Sequence, residues 1–293
     1  MKVVRLSLTV ALMVAVVLVG GCTGRGAPQG FTGLVSGTDL LYASGADGTI
    51  VALDADLRVN EAGFPGPGEW HYPVTTVTSG AFGCGTNQVP ATIYGTPVLE
   101  NDHICVGTYG GKVYMIDGAS REDSLSFPQL RAGEWEYPRT EDTIGPVVGA
   151  PTIAGDKVFV CSSIRDDGQT VGLVYALDRM YGDELWVSPP LDGKLWASPA
   201  VAGGVVYVTT FEGQIFTLSA ETGELREWTY QAEVGFVASP LIEDGIVFAG
   251  SFDRTLYAIE IGADTPLWTY QADNWFWATP VVSGGVLYAP NMD

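Results

Sequence analysis

Four cysteines and two histidines are the residues of this 293-residue chain best suited to metal or nucleophilic chemistry. Cys22, Cys84, Cys105 and Cys161 never form a Cys-x-x-Cys pair, and His71 and His103 stand in no cluster with them. A zinc site needs about four such ligands at close spacing, so no metal centre is expected. Cys105 and Cys161 fall inside apolar, strand-like runs, where a thiol acts as a small hydrophobe. A Cys84–Cys105 disulfide stays open, because the three cysteines after Cys22 leave at least one thiol unpaired. Asp166-Asp167-Gly168 lacks the alternating carboxylates and closing Glu of a calcium loop and reads as a solvated turn. No Gly-x-Ser-x-Gly, His-Glu-x-x-His or phosphate-binding loop is present, and no residue is assigned a catalytic role. The richer chemistry is aromatic, with 8 Trp, 13 Tyr and 11 Phe.

A repeat must position those rings. Ser198-Pro199-Ala200-Val201 leads to Val205-Val206-Tyr207-Val208, then Gln214-Ile215-Phe216-Thr217-Leu218, Gly223 and Trp228. The order recurs from Ser239-Pro240 to Trp268 and starts again at Thr279-Pro280, ending near Val286-Leu287-Tyr288-Ala289. Pro199 to Pro240 spans 41 residues; Pro240 to Pro280, and Trp228 to Trp268, each span 40. Longer copies precede these: one headed by Pro151 with Trp186, one by Pro97 with Trp135, and a first with Trp70. Segments Arg58–Pro67 and Arg121–Arg131 are extra in the two earliest copies and should bulge as loops. With 38 Gly and 17 Pro among the residues, the punctuation excludes long helices and favours short strands. A period near 40 with four strands per unit predicts an all-β fold, a β-propeller of four-stranded blades. Five units are complete and a sixth stops after two strands. An unclosed ring would strand an edge, so the expectation is a truncated chain, an open ring, or one completed by another chain.

Ala176-x-Asp178 followed by Gly182 and Trp186 resembles the tryptophan-docking repeat of the pyrroloquinoline-quinone-like propellers. That repeat runs Ala-x-Asp-x-x-Thr-Gly-x-x-x-Trp. Tyr181 stands where Thr belongs; Thr222-Gly223 keeps the pair with Trp228 one residue late; Ala258 to Trp268 has Glu260 for Asp and no Thr-Gly. The resemblance covers residues 34–293 and implies that Trp70, Trp135, Trp186, Trp228 and Trp268 dock between blades. Large rings suit that packing, so Trp186, Trp228 and Trp268 are expected to be buried. It also implies seven or eight blades in full-length relatives. Quinone dehydrogenases of this family hold the cofactor between a Trp and two adjacent cysteines, and calcium through Glu and Asn. Here no cysteines adjoin and no calcium set can be assigned. Neither the quinone nor calcium is expected as cofactor, and the chain is read as not an enzyme.

In propellers the loop before the innermost strand and the turn between the second and third strands share the channel-mouth face. Tyr94, Trp196 and Trp277 each precede a strand-opening proline by three residues, with Trp275 and Phe276 alongside the last. Tyr109, Phe211 and Phe252 occupy the second-to-third-strand turns, beside Glu212, Asp253 and Arg254. Exposed rings with interspersed carboxylates suit peptide or sugar recognition. The alternative is that these rings pack inward between blades. Tyr94, Tyr109, Trp196, Phe211, Phe252, Trp275 and Trp277 are therefore the candidate binding face for a protein or glycan partner.

The amino terminus carries basic Lys2 and Arg5 before an apolar run from Leu6 to Val19, the dimensions of a signal-peptide core. Val19-Gly20-Gly21-Cys22 resembles the bacterial lipobox. Residues 1–21 are accordingly a lipoprotein signal peptide, Cys22 the lipidated residue, and 22–33 a flexible tether. The mature chain should sit on the extracytoplasmic or periplasmic side, held to a membrane by the lipid anchor alone. A formal net charge of -20 disfavours nucleic acid, whose phosphates need clustered Lys and Arg. The leading reading is a non-catalytic scaffold or recognition module at the cell envelope. In architecture and repeat type it is similar to the propeller lipoproteins of outer-membrane protein assembly. A quinone-dependent oxidoreductase fragment and a polysaccharide-binding accessory are the alternatives.

Overall fold

The computed structural model describes residues 33–45, 47–59, 63–79, 86–119 and 130–293. The signal segment, Cys22, the tether up to residue 32 and Cys84 lie outside them. Five antiparallel meanders form the blades. Blade 1 pairs Leu34–Ser36, Leu41–Ser44, Thr49–Leu53 and Trp70–Pro73 in that order. Blade 2 pairs Val98–Glu100, His103–Gly107, Val113–Asp117 and Trp135–Tyr137; blade 3 pairs Thr152–Ala154, Lys157–Asp166, Gln169–Asp178 and Glu184–Val187. Blade 4 uses Ala200–Ala202, Val205–Thr209, Gln214–Ser219 and Tyr230–Gln231; blade 5 uses Leu241–Glu243, Ile246–Gly250, Thr255–Glu260 and Trp268–Gln271. A sixth unit contributes Val281–Ser283 and Val286–Tyr288. The first strands of consecutive blades contact one another in series, which makes them the innermost.

The core is a stack of layers between blades. Successive side chains of a strand point to opposite faces. In blade 2, Ile104 and Val106 pack with Ile50, Trp70 and Tyr72 of blade 1, whereas Cys105 between them packs with Val158 and Val160 of blade 3. Both faces of a middle strand are thus buried, so these strands read as unbroken apolar runs such as Val205-Val206-Tyr207-Val208. Cys105 and Cys161 are buried free thiols within two of these layers, and burial pushes both well above the usual thiol range.

The tryptophan repeat stitches neighbouring blades. Trp70 donates its indole N–H to Gly118 O at 3.2 Å, Trp135 to Arg179 O at 2.9 Å, Trp186 to Ala220 O at 3.2 Å and Trp228 to Ala263 O at 3.0 Å. Each acceptor lies in the turn after the third strand of the next blade. The repeat's other residues have matching reasons. Ala52, Ala176 and Ala258 sit directly across the ladder from Trp70, Trp186 and Trp268, where a small residue leaves room for the ring. The Asp178 carboxylate accepts the N–H groups of Met180 and Tyr181, tying the turn; in blade 4 the Ser219 hydroxyl takes the same role toward Glu221 and Thr222. Gly182 and Gly223 adopt φ of 70° and 74°, and a Cβ there would lie 2.4 Å from the preceding blade's Trp135 or Trp186 ring. Glycine is required at both places by backbone and by space.

A second stitch runs around the inner strands. Thr96 Oγ1 accepts Gly33 N–H, Ser198 Oγ accepts Ala150 N–H and Ser239 Oγ accepts Ser198 N–H. The Ser or Thr before the strand-opening prolines of blades 2, 4 and 5 therefore ties each of these blades to the one before it.

Four features depart from the sequence expectation. The segment after Asp54 forms a short helix, Ala55–Val59, rather than only a loop, because the Asp54 carboxylate caps it by accepting Asp56 and Leu57 N–H. Thr75–Ser79 and Thr86–Pro90 form an additional hairpin between blades 1 and 2. Trp268, expected buried, is 42% exposed. Its ring borders a cavity of about 530 Å³ together with Leu256, Phe276 and Leu287. Trp228, also expected buried, is only partly so, while Trp70, Trp135 and Trp186 are buried.

Candidate binding face at the channel mouth

The face is built by one backbone contact repeated in four units. The residue in the second-to-third-strand turn donates its N–H to the loop before the same unit's innermost strand. Tyr109 N–H bonds Thr92 O, Phe211 bonds Lys194 O, Phe252 bonds Gly235 O and Met292 bonds Trp275 O, at 2.8 to 3.1 Å. Both loops of a unit are thus held side by side, and the residue two beyond each acceptor falls beside the turn. Those residues are Tyr94, Trp196, Val237 and Trp277.

The rings meet edge to face. Trp196 and Phe211 lie 4.9 Å apart at 62°, Phe211 and Phe252 4.9 Å apart at 64°, and Phe252 reaches Trp275 at 5.7 Å and Trp277 at 6.3 Å. Five of the seven candidate residues therefore form one continuous tract across three units. Tyr94 and Tyr109 form a separate pair at 5.4 Å. In the ring order blade 3 stands between the two groups. Its second and third strands run ten residues each to a tip at Asp167-Gly168, with φ of 44° and 83°, where blades 2, 4 and 5 make a short turn carrying Tyr109, Phe211 or Phe252. The Asp166-Asp167-Gly168 segment is thus a two-residue hairpin turn. Trp196, Trp275, Trp277 and Tyr109 are exposed, at 38 to 51%, whereas Phe276 is buried in the core layer beneath.

Two contributors escaped sequence reading. Lys194 places its ammonium 5.5 Å from the centroids of both Trp196 and Phe211. Its signal was available, since Lys194 stands two residues before Trp196 as Trp275 does before Trp277. Met292, 55% exposed, occupies the turn position of Phe211 and Phe252 and is visible on aligning the sixth unit. The carboxylates differ in availability. Asp253 is committed internally, accepting hydrogen bonds from Ser251 Oγ, Thr255 N–H and the Tyr257 hydroxyl. Burial raises its pKa, but these bonds outweigh burial and hold the carboxyl below its usual range. Glu212 accepts Lys194 N–H and is otherwise exposed. Among the described residues no three His, Cys, Asp or Glu side chains converge as a metal set.

Meander blades joined by docking tryptophans make this chain a β-propeller, whose repeats are similar to the pyrroloquinoline-quinone-like type. Residues 170–292 match the family model described as outer membrane protein assembly factor BamB. A protein of that name from Burkholderia pseudomallei (strain K96243) is 36% identical over 72 residues, which is 24% of this chain and 17% of that one. The crystal structure of BamB from Moraxella catarrhalis superposes with a TM-score of 0.50 at 24% identity, covering 67% of this chain and 54% of that one. The matches span well under two thirds of either relative.

Proposed function

We propose that this chain is a non-catalytic, lipid-anchored propeller that serves as a scaffold or recognition module at the bacterial cell envelope. The observation that carries the reading is the tract Trp196–Phe211–Phe252–Trp275/Trp277, which leaves large rings exposed on one face although the same fold buries most of its docking tryptophans. Contiguous exposed apolar surface of this kind is characteristic of protein contacts. The relatives named above are described as outer membrane protein assembly factors, which supports a protein partner in that machinery. Anchoring runs through Cys22, on the extracytoplasmic or periplasmic side.

The test is made in the cell. A photo-crosslinking residue at position 211 should capture components of outer-membrane assembly, identified by mass spectrometry, and the adduct should vanish in Trp196→Ala. Cys22→Ala should abolish palmitate labelling and release the protein from membranes. Dye reduction by the chain reconstituted with pyrroloquinoline quinone and calcium would overturn the non-catalytic reading. Retained labelling in Cys22→Ala would overturn the anchor.

A further inference from the structure

The mouth tract contains a worked example of its own ligand chemistry. In blade 4 the ring pair Trp196–Phe211 carries an ammonium, that of Lys194, against both rings. Ring faces attract cations through their quadrupole. In the sixth unit the equivalent pair is Trp277 with Met292, and the position equivalent to Lys194 is Trp275. No cation of the described residues lies over Trp275 or Trp277, so the repeat presents there the same kind of surface with its internal cation replaced by another ring. The exposure of Trp277 is a property of the position: Trp196, with blade 5 following it, still keeps 38% of its surface in solvent, against 46% for Trp277.

Charge around the tract points the same way. The loops that carry it also carry Glu212, Glu233, Asp273 and Asp293, all exposed, against Arg254 and the already engaged Lys194. The ring planes cross at 62 to 88° along the tract, so they present a stepped surface of ring faces and edges rather than one flat platform for a sugar chain. Met292 adds a flexible, polarisable wall, a residue suited to surfaces that accept varied side chains.

We infer that the Trp275–Trp277–Phe252–Met292 end of the tract receives the Lys or Arg side chain of an extended peptide whose neighbouring apolar residues lie against the adjoining rings. This rests on the mouth being the binding face. The partner segment is therefore basic and aromatic or aliphatic, complementary to a chain of net charge -20.

The experiment titrates the full chain in detergent with three fluorescein-labelled peptides of identical aromatic and aliphatic content. They carry two Arg, two Gln or two Glu at the same positions. The Arg peptide should bind at least tenfold tighter than the Glu peptide, with the Gln peptide between. Trp277→Ala should remove most of that selectivity, and Trp277→Phe should retain it. Selectivity in the unmodified chain needs no variant, so a misfolded substitution does not blunt the test. Equal binding of all three peptides, or preference for Glu, overturns the cation site while leaving the mouth as a binding face. Binding of none overturns both, and binding of neutral oligosaccharides in their place assigns the face to glycans.

Discussion

Two groups of tryptophans divide this molecule. Trp70, Trp135 and Trp186 are buried, and each gives its indole N–H to a carbonyl of the next blade. Trp196, Trp275 and Trp277 are exposed, meet other rings edge to face or Lys194, and have no indole N–H acceptor among the described residues. A buried indole requires a partner for its N–H, whereas one at the surface can use water. The first group is therefore part of what joins blade to blade. The second contributes area at a face that the fold does not need to close. One residue type serves both purposes, and position in the repeat decides which.

The largest expected effect lies in the first group. Trp135→Ala would remove a ring that packs among Cys105, Val158, Val160 and Leu177, together with its bond to Arg179 O. Large-to-small core changes of this kind cost about 3–5 kcal/mol. Urea unfolding followed by far-ultraviolet circular dichroism measures it, and a loss below about 1 kcal/mol would remove the distinction between the groups.

Gly223→Ala probes the same joint from the other side. The added methyl would sit 2.4 Å from the Trp186 ring, on a backbone at φ of 74°. Overpacking typically costs about 1–3 kcal/mol, and the left-handed conformation adds to it. The same substitution at Gly203, also left-handed at φ of 56° but with nothing within 4 Å, should cost only the conformational part. The difference between the two melts isolates the contact with Trp186. Equal losses would mean that the glycine is kept for its backbone alone.

Much of this architecture could be read from the repeat. Proline and tryptophan spacing located five meanders and a two-stranded sixth, because each blade uses the same residues for the same contacts. The aromatic face was legible as a list of positions, since the loops before the first strand and between the second and third carry the rings. Its division was not. The hairpin of blade 3, with ten residues in each strand, lengthens the strands without breaking their alternation, so nothing in the pattern announces that it separates Tyr94 and Tyr109 from the main tract. Nor did the repeat forecast the exposure of Trp268, because burial of that ring depends on the turn of a following unit and not on its own blade. Lys194 was overlooked for a simpler reason: a lone lysine in a loop reads as solvated until geometry places it on two rings.

The smallest stability effect is expected at the mouth and bears most directly on function. Trp196 is 38% exposed and touches Phe211 edge to face, with Lys194 across both. Trp196→Ala would lose one edge-to-face contact and one cation–π contact, each worth about 0.5–1 kcal/mol at an exposed site. It would also end the exposure of a large apolar ring, which offsets part of that loss. The net change should be about 1 kcal/mol or less, close to the range of ordinary surface substitutions. Partner binding should fall far more, by about 2 kcal/mol if the ring is a hot spot. A thermal melt of Trp196→Ala beside Trp135→Ala, with binding measured on the folded variant, separates the two quantities. If Trp196→Ala unfolds as readily as Trp135→Ala, the mouth rings are structural, and the face loses its claim to be a binding site.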